Sequence, residues 1–104
     1  MTFGEAITKM QRGAFVAREA WNGKNMFIYI TEGIRTPAET LCDRPFKAVT
    51  YRRKLDQTDA VRDVTVRPHI DMIDAQGCLV CGWLASQTDM LADDWFVREY
   101  AQNV

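Results

Sequence analysis

Apolar residues near the start of the chain recur with helical spacing. In "TFGEAITKMQRG", Phe3, Ala6, Ile7 and Met10 stand at i, i+3, i+4 and i+7, one face of a helix. Thr2 and Glu5 have the spacing of a capping box, and Gly13 suits the position just past the helix end. The period then shortens. "AFVAREAWNGKNMFIYI" reads as strand, turn, strand, with strands over 15–17 and 26–30 around Asn22-Gly23, the strongest short turn signal in the chain. In the second strand Met26, Ile28 and Ile30 line one face, while Phe27 and Tyr29 line the other. A strand apolar on both faces either lies centrally between two layers or is covered by a partner chain. In so short a chain the partner is the expectation.

The pattern fades between 31 and 63. "TEGIRTPAETLCDRPF" carries two prolines and no clear period, and "KAVTYRRKLDQTDAVRD" sets the basic cluster Arg52-Arg53-Lys54 before mixed charge. A long hairpin or loop excursion is predicted there rather than a helix. The cluster reads either as a solvated face or as a ligand or partner contact. Strand character returns with Val64, Val66, Ile70 and Met72 on one face, interrupted by Pro68 as at an edge or a bulge. "DAQG" turns the chain into "CLVCGWL". In "WLASQTDMLADDW", Ser86 caps a short helix, Asp89 is its third residue, and Met90, Leu91 and Trp95 supply its apolar side. "FVREY" closes as a short strand, and the last residues are expected to fray. The predicted fold class is α+β: a small antiparallel sheet with an N-terminal helix and a short C-terminal helix, assembling as a homo-oligomer.

A length of 104 residues predicts one domain over 1–104, and 47% apolar with 26% charged residues describes a globular chain. No apolar run approaches the roughly 20 residues of a membrane span and no signal segment leads the chain, so an intracellular protein with no membrane partner is predicted. A net charge of -1 argues against a general DNA or RNA binder, yet a small anionic ligand needs only a few local donors. Three cysteines make no disulfide framework. Cys78 and Cys81 form a C-x-x-C for which only Cys42 and His69 are available as further zinc ligands, so free thiols are expected. A redox role fits less well, because the pair does not open a helix after a strand.

Catalytic patterns are weak. His69 has Asp71 two residues on, which on a strand points to the same face, but spacing ties no nucleophile to the pair. A structurally hydrogen-bonded histidine is the simpler reading. Asp89, Asp93 and Asp94 suit a solvated helix surface better than a metal. No phosphate-cradling glycine loop and no H-E-x-x-H occurs. No catalytic residue, metal or cofactor is therefore predicted.

Binding chemistry is better represented. A helix start carries free N–H groups and partial positive charge, a natural place for phosphate, and here it bears Ser86, Gln87 and Thr88. Trp21 stands beside the turn "WNGK" and Trp83 just before the helix, so a planar base can stack on either. Arg18 and Lys24 lie close in sequence to Trp21 and can neutralise phosphate. These groups describe a nucleotide pocket, unless the tryptophans are simply core.

The segments "FGEAI", "VAREAWNGKNMFIYI", "RPHIDM" and "WLASQTDMLADDW" resemble the Thoeris anti-defense 2 family of phages and prophages, in order and over most of 3–30 and 67–97. The resemblance implies a phage-encoded sponge: a homotetramer in the host bacterial cytoplasm that captures the cyclic ADP-ribose-type signal of Thoeris, and in some members cyclic dinucleotides at a separate site. Such proteins release the ligand intact, so no catalysis is implied. Ligand sites between protomers would fit the two-sided strand. Carried over, the family's tryptophan and asparagine of "GWNGK" match Trp21 and Asn22, and its "SQTD" matches Ser86, Gln87, Thr88 and Asp89. Trp21 becomes the stacking platform, 86–89 the phosphate and ribose contact, and Phe3 a wall of the base site.

Two departures stand out. Cys81-Gly82 precedes Trp83 where family members often have proline, and 33–66 is charged instead of a short Pro- and Gly-rich connection. That segment either lies over the pocket or builds a dinucleotide site with Arg52, Arg53 and Lys54. Two readings compete with the sponge: an interaction protein that blocks a host defence protein directly, and an enzyme that cleaves the signal.

Overall fold

The structure is a computed structural model that describes residues 1–58 and 63–104. The end of the "KAVTYRRKLDQTDAVRD" excursion, 59–62, lies outside the described residues. The chain divides into two compact units, Met1–Thr31 with His69–Val104, and Glu32–Pro68.

The first unit is built on α1 (Phe3–Gln11), which begins as predicted: the Thr2 side chain accepts from the Glu5 amide while the Glu5 carboxylate accepts from the Thr2 amide. The Thr2 contacts, backbone first, hold the Glu5 carboxyl below the usual range. Gly13 follows at φ 93°, a left-handed conformation that ends the helix at little cost only for glycine. The chain enters β1 (Ala14–Arg18), a 3₁₀ turn over Glu19–Trp21, and β2 (Phe27–Thr31). Asn22 (φ 55°) and Gly23 (φ 66°) make the predicted reversal, within a connection wider than a tight hairpin. The unit resumes with β5 (His69–Ile73), β6 (Leu79–Val80), a short helix (Gln87–Leu91) and β7 (Trp95–Tyr100). Strand order is β6-β5-β2-β1-β7, with every pairing antiparallel. The final residues, expected to fray, form a 3₁₀ turn whose Ala101 amide bonds Gly13.

The two-sided strand β2 is thus the central strand of the sheet. Val16, Ile28, Met72 and Trp95 form one face and bury against Ala6 and Met10 of α1, with Phe3, Ile7, Met26 and Ile30 packed around them. On the other face Phe15, Phe27 and Tyr29 pack on one another, with ring centroids 4.9 to 6.3 Å apart, and remain half-buried.

The second unit pairs β3 (Ile34–Pro37) with β4 (Asp63–Val66) in an antiparallel two-stranded sheet. Its Gly33 is required for space: a Cβ there would meet Pro68 Cδ and the Val66 carbonyl at 3.0 Å. Between these strands runs a 13-residue helix, α2 (Asp43–Leu55), in the segment predicted to avoid helix. The hairpin expectation holds for its flanks and is corrected in its middle. No residue of α2 is fully buried and only Phe46, Val49 and Arg53 are half-buried, so its apolar period is short. The basic cluster 52–54 is its last turn, where cations face the negative helix end. A second correction concerns 64–72. Val64 and Val66 belong to one sheet and Ile70 and Met72 to the other, so Pro68 separates two strands rather than bulging one.

Candidate functional site

Four aromatic rings gather at one end of the first unit. Trp95, only 2% exposed, is the centre, with its indole N–H donating to the Asp89 carbonyl at 3.0 Å. Phe3 lies 5.1 Å from it between centroids, Trp21 5.4 Å and Trp83 6.3 Å. Trp83 also meets Trp21 and Phe3, each at 6.3 Å. Every pairing among the three indoles is edge-to-face, at 75° to 80°, the geometry favoured by the ring quadrupole. Phe3, Trp21 and Trp83 are half-buried. The sequence-predicted aromatics therefore converge, and they do so on the core. Trp21 is not a free turn-borne indole; it belongs to the packing as well.

The short helix, α3 (Gln87–Leu91), starts beside this cluster. Ser86 caps it: its hydroxyl accepts from the Asp89 amide at 3.0 Å, and Asp89 Oδ2 accepts from the Ser86 amide and hydroxyl. Gln87 and Thr88 are exposed, as are Asn22 and Lys24.

Arg18 departs most from expectation. Its guanidinium turns inward, giving Nη1 to Asp89 Oδ1 and Nε to Asp94 Oδ1, both at 2.8 Å, with 12% of the side chain exposed. Hydrogen bonds donated to Asp94 and then to Asp89 raise the Arg18 pKa. Burial works to raise Asp89, but Arg18 and Ser86 outweigh it and hold its carboxyl low; Asp94 is held low chiefly by Arg18. Asp94 also accepts from the Ala20 amide at 3.0 Å. Arg18 thus clamps the Trp21 turn to the start of α3. Sequence reading missed this because the partners lie 71 and 76 residues away.

The remaining chemistry lies elsewhere. His69 Nε2 sits 3.3 Å from Asp71 Oδ2 on β5, the same-face pair that the strand spacing predicted. Cys42, Cys78 and Cys81 are free and exposed. Among the described residues no three His, Cys, Asp or Glu side chains gather as for a metal, and no helix is long and apolar enough to cross a membrane. Arg52 is paired with Asp56 at 3.0 Å, and Arg53 donates to the Asp63 carbonyl at 2.9 Å.

Comparison with known proteins covers most of the chain. Residues 1–98 match the model of the Thoeris anti-defense 2-like domain. The protein Thoeris anti-defense 2 of Bacillus phage SP01 is 32% identical over 95 residues, covering 91% of each chain. A match of this extent takes in both units of the fold, the aromatic cluster and the capped helix beside it, and the chain belongs to the Thoeris anti-defense 2 family, a family of anti-defense proteins.

Proposed function

We propose that this protein is a phage counter-defence sponge that binds a cyclic ADP-ribose-type signal of Thoeris and holds it uncleaved in the host bacterial cytoplasm. The observation that carries the reading is the convergence of Phe3, Trp21 and Trp83 beside the capped start of α3, in a chain of this family. Half-buried indoles held edge-to-face, none stacked on another, offer a ring face to an adenine. Such stacking contributes about 1–3 kcal/mol per base elsewhere. Trp21 is the platform, Phe3 walls the base and Trp83 closes the cluster. At five residues α3 carries little macrodipole, so the side chains of Gln87 and Thr88, with Asn22 and Lys24, meet ribose and phosphate. Ser86 and Asp89 fix that helix start, and Arg18 fixes Asp89.

A sponge must outcompete an effector, which requires nanomolar binding, about -12 kcal/mol. A pre-formed site shared between copies lowers the ordering cost. We assign the contact between copies in a homotetramer to the half-buried aromatic face of Phe15, Phe27 and Tyr29. Some members of the family are expected to hold cyclic dinucleotides too, and the cations of α2 are the place for them here. The alternative, a protein that blocks a host defence protein directly, draws on Leu84 and Leu91, 89% and 84% exposed beside the cluster.

Titration of the protein with cyclic ADP-ribose isomers, followed by indole fluorescence, tests the site. Trp21→Leu keeps apolar volume on Trp95 but removes the platform, so it should remain folded and lose binding by about a hundredfold, equal to the upper range of one stacking contact. Unchanged affinity in folded Trp21→Leu would remove Trp21 from the site.

A further inference from the structure

Asp71 is the one polar residue among the buried side chains of the described structure, with 4% of its surface exposed. It alternates with Ile70 and Met72, which pack toward α1, and so points to the opposite face of the sheet. A carboxylate in such a place persists only where its oxygens are occupied. They are. Oδ2 accepts from the Thr31 hydroxyl at 2.5 Å and faces His69 Nε2 at 3.3 Å, while Oδ1 accepts from the Gly82 amide at 2.8 Å.

The Gly82 bond has a consequence across the sheet. Gly82 sits at φ 79° with nothing within 4 Å of the place a Cβ would take, so glycine is needed for its backbone and not for room. The next amide, Trp83, donates to the Ile70 carbonyl at 2.7 Å. Successive amides are thus held by a side chain and a carbonyl of successive β5 residues. The turn between them sends the Trp83 indole to the α1 side, against Phe3, Trp21 and Trp95.

We propose that Asp71 is a positioning residue for Trp83: by fixing Gly82 from one face of the sheet, it sets an indole of the aromatic site on the other. The relevance to ligand rests on the sponge reading; the positioning itself does not. Asparagine can reproduce the geometry, with its carbonyl accepting from Gly82 and its amide facing Thr31, whereas alanine leaves the Gly82 N–H without its partner.

The test uses the coupled-indole circular dichroism signal of the full chain without ligand, beside affinity for cyclic ADP-ribose isomers. Asp71→Ala should change the indole signal, and Asp71→Asn should restore it. In a Trp83→Leu background Asp71→Ala should produce no further change in either the signal or affinity. In the chain that keeps Trp83, Asp71→Ala should weaken binding by about tenfold. An indole signal identical to wild type in folded Asp71→Ala overturns the proposal, as does full additivity with Trp83→Leu. If Asp71→Ala does not fold, Gly82→Ala carries the test. It strains the same link with the acid in place, and an unmoved indole signal there overturns the proposal equally. A changed indole signal in a protein whose wild type binds none of the isomers would sink the ligand reading and leave the positioning standing.

Discussion

The two units of this chain are held together by different means. In the first, α1 and a five-stranded sheet bury Ala6, Met10, Val16, Ile28, Met72 and Trp95 in one cluster. In the second, Ala38 is the single buried hydrophobic residue described, and the 13-residue α2 buries no residue fully. Their charge differs in sign as well. Glu32–Pro68 carries eight Lys and Arg against six Asp and Glu, while the rest of the chain carries five against eight. The aromatic site belongs wholly to the apolar, acidic unit. The comparison teaches that stability and the site share one core, so changes to either are felt by both, whereas the basic unit is free to vary in surface.

The largest effect that would break this contrast comes from Trp95→Ala. Removing a fully buried indole costs about 3–5 kcal/mol, comparable with the whole stability of a small domain of about 5–15 kcal/mol. Denaturant titration should show the first unit largely unfolded. Acid comes next. Asp89, Asp94 and Asp71 all have carboxyls held below their unfolded values, so their contribution is complete above about pH 3.9 and is lost as pH falls through the lower folded values. Thermal melts should therefore be flat from neutrality to about pH 5 and decline steeply below about pH 4. Thr2→Ala removes the cap of α1 and should cost about 1 kcal/mol, read as a shift of the denaturation midpoint. The smallest effect should come from the other unit. Thr31 and His69 are register partners on adjacent antiparallel strands, so a short glycine-containing turn can join them. Replacing Glu32–Pro68 by such a turn should leave the sheet, the indole signal and binding of cyclic ADP-ribose isomers in place, while removing the cations assigned to cyclic dinucleotides. Loss of the fold would show that the basic unit is structural after all.

These predictions also mark how far the sequence could be read. The α1 cap and its apolar face are local patterns, and the structure repeats them residue for residue. The cap of the short helix and the turn at Asn22-Gly23 are equally local, but Met90 and Leu91, read as that helix's apolar side, are exposed, and Trp95 belongs to β7. Helix α2 was hard to read because only Phe46, Val49 and Arg53 are half-buried on it, and its remaining signals were Asp43 in its first turn and three cations in its last. Pro68 hid a change of sheet, since 64–72 alternates as though it were one strand. Within the site, Trp21 and Trp83 were legible as paired aromatics beside a turn and a helix start, while Trp95 proved to be the buried centre they pack on. The Arg18 clamp and the Asp71–Gly82 bond were not legible, because each joins segments that only the fold brings together.

The central claim is capture without chemistry. It is tested most directly by mixing the protein with cyclic ADP-ribose isomers and cyclic dinucleotides, removing free ligand by filtration, denaturing with heat and chromatographing what is released. The account predicts one cyclic ADP-ribose-type nucleotide, intact and close to one equivalent per site. An altered nucleotide would make the protein an enzyme, and nothing retained from the whole panel would contradict the sponge and favour direct blocking of a host protein.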